Sequence, residues 1–476
     1  MTRALRERCD VAVIGAGPAG STIAGRLARL GHDVVVVDAA RFPRPRIGES
    51  LPPSIHHVLT LCHARERVEA ARFLRPTHAI VRWSGSVTIH EAYGDASGFQ
   101  VNRARFDQLL LEAAREAGAR IAPPARAMRP LATDDGWSIP LRGDGGVTEL
   151  RARFVADAAG KHAALRRRPQ RLSPPTVAMH AYWTDVPIEG DETRVDAGRG
   201  AWYWGAPLPD GSFNAAVFVD AGRCAGLGRS ALDRLYRALV AESPLLGPCL
   251  RGRMLERVRT VDASSWIDAE PVAPTAIKVG EAAFSIDALS SQGVQAAMMS
   301  GFVGATVVHT ILRRPADAEA ACALYRTRQD EIVEGHRRAT AAFYASHQRF
   351  RDEPFWRARA LDATRSVAGS TEREALPPDA ALALAGASRI VAVPTIDHEF
   401  VRMREALAHP ALERPVAYLG AIAVAPLVKD VGCGETAAAI ADRWTRRMAP
   451  ADAWRVLGWL WAHGILVSAT EALPCR

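Results

Sequence analysis

No C-x-x-C pair occurs in this chain, and its 7 cysteines are scattered at Cys9, Cys62, Cys224, Cys249, Cys322, Cys433 and Cys475. That spacing matches neither a zinc site nor a disulfide framework. No metal is expected, and a reducing, cytoplasmic compartment is. No apolar run approaches the ~20 residues that span a bilayer, so no membrane span is expected. The first apolar run begins within about ten residues of Met1, so no signal peptide is expected. No internal repeat is evident. What remains is the composition of an ordinary globular protein, 48% hydrophobic and 24% charged. At 476 residues it is long enough for two or three domains. The net charge of +8 fits an arginine-rich proteome or an acidic partner.

The densest pattern lies in Cys9–Asp38. A short apolar run, Val11–Ile14, reads as a buried parallel strand. Gly15, Gly17 and Gly20 follow as G-x-G-x-x-G, then a helical segment, Ser21–Leu30, and a second apolar run, Val34–Val37, that ends in Asp38. Gly15 makes the tight turn, Gly17 lets backbone approach a pyrophosphate, and Gly20 allows close helix–strand packing. The helix N-terminus offers N–H groups and a positive dipole end to phosphates, and Ala19, just before it, is a candidate cofactor-binding residue. Asp38 stands where a carboxylate would hold a ribose hydroxyl. Strand, glycines, helix, strand and acid in this order predict a dinucleotide site.

After Asp38, Arg41, Arg44 and Arg46 precede Gly48, Glu49 and Ser50, and paired prolines stop any helix. A loop laid over the cofactor is expected. Ser54–Ala71 predicts a helix, Ile80–His90 and Gly98–Val101 strands. In Val101–Ala119, Phe106, Leu109, Leu110, Ala113 and Ala114 keep helical spacing. Leu131–Arg142 and Thr148–Arg153 alternate as strands and lead into Phe154–Arg167, a buried strand breaking at Asp157 and Gly160. Runs between Thr176 and Val219 alternate with Gly, Pro and Asp turns and predict an antiparallel sheet. Ala231–Leu250 reads as helical and Met254–Ile267 as strand-like. Ala276–Gly301 is a second strand–loop–helix: the strand reaches Gly280-Glu281, the loop runs through Asp287–Gln292, and the helix starts near Gly293. Tyr325–Ala363 reads as a long charged helical region and Ser370–Asp379 as a linker. The expected domains are a dinucleotide-binding unit from 1–45, 100–165 and 270–315, and a substrate domain from 46–99 and 166–269. A helical connecting region, 316–390, and a C-terminal module, 391–476, complete the chain.

The motifs GAGPAG, FPRPRIGES, R-x-x-F-D at Arg103–Asp107, DAAG at Asp157–Gly160 and GEAAFSIDALSSQGVQAAMMSG resemble those of flavin-dependent monooxygenases. More closely, they resemble the halogenase-like branch, over residues 8–365. The resemblance implies an α/β fold: a Rossmann-like FAD-binding domain with an inserted antiparallel-sheet substrate domain. It implies FAD contacts from Arg46, Gly48, Ser50, Arg103, Asp157, Gly160, Gly280, Glu281, Gln292 and Gly293. Arg103 would reach the cofactor from the start of its helix, and Glu281 stands where the family has Asp. Gln292 and Gly293 would place N–H groups near the flavin pyrimidine, where negative charge develops on reduction.

Trp202, Trp204 and Pro207 match the W-x-W-x-I-P signature of flavin-dependent halogenases, with Ala206 in place of Ile. Tryptophan halogenases also use a lysine upstream of a tryptophan resembling Trp83, and a glutamate in P-L-E-S-T-G. Here Phe73–Trp83 holds no lysine, Arg75 lies nearest, and Ser290 stands at the glutamate. Arginine cannot release its proton and so cannot act as a lysine amine. The resemblance therefore implies the flavin site without the halide chemistry. Hydroxylation remains: reduced flavin and dioxygen give a flavin hydroperoxide, which passes oxygen to an electron-rich ring where water is excluded. A single dinucleotide fingerprint fits NAD(P)H as a visiting electron donor, or a separate reductase. The candidate catalytic residues are Glu49, His56, Arg75, Trp202, Trp204 and Ser290. Glu49, His56, Trp202 and Trp204 also have a plain structural reading, as loop-closing acceptor, helix-face residue or packing.

The last stretch has helix-like segments at Phe400–Ala408, Thr436–Arg446 and Ala451–His463 and an apolar end, which suggest a winged-helix-like module. Arg443, Arg446, Arg447 and Arg455 make it basic, but no helix with base-reading side chains stands out. A nucleic acid partner is not expected; a protein or peptide substrate is. This combination is similar to the flavin monooxygenases that hydroxylate a tryptophan of quinohaemoprotein amine dehydrogenase on the way to cysteine tryptophylquinone. The expected function is an FAD-dependent aromatic monooxygenase acting on tryptophan in a protein or peptide, with NAD(P)H and dioxygen. The alternatives are a halogenase with a relocated lysine, a reductase of isoprenoid-like double bonds, and a flavin-containing DNA-binding regulator.

Overall fold

The apolar runs VAVI, VVVV and FVAD lack the polar alternation of a sheet with one wet face, so both of their faces must be covered. In the computed structural model, which describes residues 6–91, 97–165, 168–360 and 375–470, they are the central strands of a mixed sheet. Its order is Val272–Ala273, Ala276–Lys278, Gly146–Asp157, Arg6–Ile14, Val34–Val37 and Arg120–Ile121. All of these pairings are parallel except Val272–Ala273 with Ala276–Lys278. Val11, Val13, Val34, Val36, Phe154 and Val155 are fully buried. The chain divides into two compact units, one ending at Thr364 and the other beginning at Arg365.

Helix Pro18–Arg29 covers the parallel sheet and starts at Pro18 rather than at Ser21, because proline suits the first helical position. Against it lies helix Gly293–Arg313. That helix is long and apolar enough to cross a membrane by length and composition, against the expectation of no such run. It is mostly buried, through Ala296, Met298, Ser300, Gly301 and Ala305 among others.

The second sheet has the order Arg253–Met254, Thr176–Thr184, Phe213–Asp220, Ala201–Pro207, Thr193–Gly198, His78–Arg82 and Thr88–Glu91. It is antiparallel except where Thr193–Gly198 meets His78–Arg82. Alternation splits its side chains between two cores. Met179, Ala181, Trp183, Tyr203, Phe213 and Val217 pack with Tyr236 and Leu239 of helix Arg229–Glu242. Ala178, Trp202, Ala216 and Phe218 pack with Trp83, Tyr344, Phe355 and Trp356.

Several sequence expectations are corrected. Ser54–Ala71 is two helices, Ile55–Leu61 and Arg65–Ala70, because His63 takes a left-handed conformation (φ 55°) that ends the first. Ile80–His90 is a hairpin, split by the turn at Ser84-Gly85-Ser86. The long helical region is Ala318–Ala345 and then Pro354–Ala360, where proline opens a new helix; residues 361–363 lie outside the described ones. The stretch 316–390 is not one connector. The helices ending at Ala345 and Ala360 pack on the first unit, and strand Ala381–Leu384 pairs within the second. Residues 370–374 of the expected linker lie outside the described residues.

In the second unit Phe400–Ala408 is a strand, not a helix, paired with Arg389–Asp397 in a hairpin closed at His398-Glu399. Its sequence is rich in helix formers, but the β-branched partner RIVAVPTI and the left-handed His398 (φ 56°) decide the outcome. Helices Val424–Lys429, Ala437–Trp444 and Pro450–Ala462 enclose Leu427, Ile440, Trp444, Val456 and Leu460. They accompany a small sheet in the order Glu435–Thr436, Ala381–Leu384 and Leu466–Ser468. Arg443 is held by Asp430 and Glu435, and Arg455 by Asp452. Cys433 is disulfide-bonded, against the expectation of no disulfide, while Cys9, Cys62, Cys224, Cys249 and Cys322 are thiols outside any disulfide.

The crossing of the two core helices tolerates no side chain at Gly301, where a Cβ would lie 2.5 Å from the Ala19 carbonyl oxygen. Gly301→Ala is expected to destabilise the first unit by about 1–3 kcal/mol through overpacking. A denaturant melt would show a lower midpoint at an unchanged slope.

Candidate active site

The glycine motif leaves one open place. A Cβ on Gly15, whose φ is +102°, would lie 2.4 Å from the Ala158 carbonyl oxygen, and one on Gly20 would lie 1.8 Å from that of Gly15. Both glycines are required by packing. Gly17, at the N-cap of helix Pro18–Arg29, is different: beyond its Cβ position the first atom is the Arg44 guanidinium, at 3.4 Å. Ala19 turns away from that space and abuts Gly280 and Gly301. Asp38 ties the turn, its Oδ2 accepting from the Ala16 N–H and its Oδ1 from the Ala40 N–H, each at 2.8 Å. A carboxylate retains further lone pairs after two such bonds.

Arg44 was not among the residues singled out for cofactor binding, yet it faces this space from burial. It lies 3.7 Å from Asp38 and 3.4 Å from Asp107. Its Nε is buried with no hydrogen-bond partner. Burial pulls its pKa down, against the pull of both carboxylates. A helix N-terminus, an open glycine and a guanidinium with an unfilled donor together fit a pyrophosphate. Arg46, two residues on, is exposed.

Arg103 braces the loop rather than reaching out of it. Its Nε and Nη2 donate to the two Asp107 oxygens at 3.0 and 3.3 Å, and its Nη1 donates to the Ile47 and Gly48 carbonyls at 2.6 and 3.3 Å. Gly48 needs its φ of +99°, and its N–H donates to Glu49 Oε2 at 2.8 Å. The Ser50 hydroxyl accepts from Gln100 at 3.3 Å.

Glu49 is buried and carries the connection to the second sheet. Its Oε1 accepts from the Tyr182 hydroxyl at 2.6 Å and its Oε2 from Asn214 Nδ2 at 3.3 Å. Burial and then the Glu49 charge push the Tyr182 hydroxyl far above its ordinary pKa, so it stays a donor.

On the other side, Asp157 accepts from the Ala159 and Leu165 N–H groups at 3.0 and 2.7 Å, and burial raises its pKa. It shapes the DAAG turn that backs Gly15. Gly160 and Gly280 both have positive φ, and the Gly280 N–H donates to Ser300. Glu281 is exposed. The Ser290 hydroxyl donates to the Asp287 carbonyl at 3.0 Å and accepts from the Gln292 N–H at 3.3 Å. Helix Gly293–Arg313 starts without a side-chain cap, and nothing lies within 4 Å of a Cβ on Gly293. The Asp287 carboxylate accepts from the Tyr344 hydroxyl at 3.2 Å, and burial raises its pKa.

The remaining candidates fall in two places. Trp202 is buried and stacks on Phe218 with centroids 3.7 Å apart, and half-buried Trp204 lies on the same sheet face opposite Ala216. His56 and Arg75 are brought together with each other. His56 Nδ1 lies 3.6 Å from Glu69, Arg75 donates to Glu69 at 3.1 Å, and both lie against Phe99. These partners are not shared with Glu49. Sequence reasoning missed Asp107, His180, Tyr182, Asn214, Asp287 and Tyr344. The alternation in Thr176–Thr184 could have shown that His180 and Tyr182 share one face, and the i,i+4 spacing that Asp107 meets Arg103; the others depend on contacts distant in sequence.

Asp107 serves two buried guanidinium groups. Asp107→Ala is expected to cost about 3–5 kcal/mol by leaving them uncompensated. Equilibrium unfolding would register the loss, and flavin absorbance of the purified variant would show reduced FAD content.

A family model described as an FAD binding domain matches residues 8–216. A tryptophan 2-halogenase of Chondromyces crocatus is 30% identical over 385 residues, covering 75% of this chain and 72% of that protein. The flavin-dependent halogenase armH4 of Armillaria mellea is 24% identical over 66% of this chain and 67% of its own. Among solved structures, the peptidyl tryptophan dihydroxylase QhpG, essential for tryptophylquinone cofactor biogenesis, superposes with a TM-score of 0.76 at 26% identity, covering 96% of this chain and 99% of that one. The flavin-dependent halogenase CmlS shares the fold, with a TM-score of 0.78 at 22% identity over 97% of this chain and 96% of its own. An FAD-binding domain, halogenase relatives and a dihydroxylase of matching architecture place this chain in the family of flavin-dependent halogenases and monooxygenases.

Proposed function

We propose that this enzyme is an FAD-dependent aromatic monooxygenase that hydroxylates tryptophan within a protein or peptide, drawing electrons from NAD(P)H directly or through a reductase. The observation that carries this reading is the fate of the lysines. The chain has only three: Lys161, Lys278 and Lys429. Lys278 is buried in an ion pair with Asp268 at 2.9 Å, and Lys161 donates to the Asp262 carbonyl. Lys429 belongs to the second unit, paired with Glu405. A halogenase needs an amine beside its substrate. Arg75, nearest to the expected position, is paired with Glu69 and always charged. The dihydroxylase likeness also runs through both units and supports a peptide-borne substrate.

Bound and reduced, FAD supplies the activation of dioxygen. In this reading Gly17, Arg44 and the helix start at Pro18 hold the pyrophosphate. Asp38 holds the ribose, and the Gly293 N–H at the start of its helix faces the ring, the Gln292 N–H being held by Ser290. Glu49, fixed by Arg103 through the Gly48 loop, holds Tyr182 and Asn214 of the substrate sheet over the same space. The aromatic face of Trp202, Trp204 and Phe218 excludes water. The second unit, whose Arg443 and Arg455 are already paired with acids, serves a protein partner rather than nucleic acid.

Halogenation is the second reading, favoured by the identity to a tryptophan 2-halogenase. Mass spectrometry of a tryptophan-bearing protein treated with the enzyme, FAD, NAD(P)H, air and excess bromide separates the two. One or two added oxygen atoms on tryptophan are expected. Bromine in place of hydrogen would overturn the proposal.

A further inference from the structure

The inner face of the second sheet carries polar atoms that the rest of the molecule leaves unused. In strand Thr176–Thr184, Met179, Ala181 and Trp183 enter the core beneath helix Arg229–Glu242, so His180 and Tyr182 point to the opposite face. The Tyr182 hydroxyl reaches Glu49 of the Gly48 loop, which turns this face toward the dinucleotide-binding part of the unit. The cross-strand register forms three rows. Tyr182 pairs with Asn214 and then Ala206, His180 with Ala216 and then Trp204, and Ala178 with Phe218 and then Trp202. The small Ala216 is therefore flanked by an imidazole and an indole. His180 and Asn214 are diagonal neighbours, within reach of one bound ring.

Both ring nitrogens of His180 and the Oδ1 of Asn214 are buried without a hydrogen-bond partner among the described residues. Each residue is 2% exposed. Folded proteins rarely leave such atoms unpaired, because each forfeits its bonds to water. Burial, with a smaller push from Arg259 against Glu256, drops the His180 pKa to about 4, and its ring meets Tyr182 edge-on at 5.7 Å. At neutral pH the imidazole therefore carries one donor and one acceptor. Its other nearby groups are the Tyr182 hydroxyl, committed to Glu49, and the aromatic rows.

We propose that His180 and Asn214 are the recognition seat for the N–H edge of the substrate ring, an indole, with His180 as the hydrogen-bond acceptor and Trp204 as the opposite wall. This rests on the tryptophan reading above and adds what selects the ring. A site built around an unfilled acceptor rejects an otherwise identical ring that lacks the donor.

The test is a flavin absorbance titration of the FAD-loaded full chain with a capped Gly-Trp-Gly peptide and its N1-methylindole twin. Wild type is expected to bind the N–H peptide at least about 10-fold tighter than the methylated one. His180→Phe keeps an aromatic ring, somewhat larger, and removes the acceptor, so it should bind both peptides alike, at the methylated level. His180→Gln, with an amide oxygen, should restore part of the discrimination. Thermal melts identify any variant that has not folded; the Gln variant then carries the comparison. Equal discrimination in wild type and His180→Phe overturns the assignment, as does the absence of any spectral response to either peptide in wild type. A changed flavin spectrum in His180→Phe with discrimination intact would mean that His180 serves the flavin instead, and also overturns it. Discrimination without oxygen transfer to tryptophan keeps the recognition seat and removes the proposed reaction. Oxygen transfer without discrimination does the reverse.

Discussion

The buried carboxylate of Asp107 is the point on which the candidate site depends. It holds Arg103 through two hydrogen bonds and Arg44 at 3.4 Å. Through Arg103 it fixes the carbonyls of Ile47 and Gly48. Through Arg44 it sets a cation before Gly17. The next residue in the fixed loop is Glu49, which receives Tyr182 and Asn214 from the other sheet. One side chain thus links the glycine turn, the arginine loop and the substrate sheet. Buried charges are costly unless every lone pair and proton is used. This network uses most of them; among the described residues Arg44 Nε and Asn214 Oδ1 are left without a partner, and the Arg44 guanidinium lies beside Gly17.

The two sheets divide the work by face. The parallel sheet is buried on both sides and serves as a rigid platform; its functional groups are at strand ends and turns. The antiparallel sheet gives one face to helix Arg229–Glu242 and the other to the site. On that second face, aromatic residues gather at Trp83, Trp202, Phe218 and Trp356, and polar ones at His180, Tyr182 and Asn214. The helix ending at Ala345 closes the aromatic half, with Tyr344 bound to Asp287 of the glycine loop. A dry wall beside a few polar groups suits chemistry that must exclude water while orienting one ring.

The second unit has its own core, centred on Trp444, whose indole N–H donates to Asp430 at 3.1 Å. Asp430 also receives Arg443, so the basic character read along the chain is neutralised in part by local acids. Counting arginines overstated the free positive surface, because formal charge ignores which cations are already paired.

By itself the sequence determined the dinucleotide fold and its turns. Gly15, Gly20 and the apolar strands are constrained by local backbone geometry and short-range packing, so their spacing is legible. It also determined the family, because the flavin motifs occur in order along one chain. Helix and strand assignments failed where a distant partner outweighed local preference, at Phe400–Ala408, or where one residue with positive φ cut an apolar run, at His63. Only the tertiary structure decided what individual charged and polar residues do. Asp38 and Asp157 spend their hydrogen bonds on backbone groups of the loops they shape, Arg103 divides its own between the Asp107 carboxylate and the Ile47 and Gly48 carbonyls, and His56 and Arg75 share Glu69 rather than any partner of Glu49. Asp107, His180 and Asn214 gained their places through partners far away in sequence. A side chain's chemistry is written in its identity, but its burial and its partners are set by the rest of the fold.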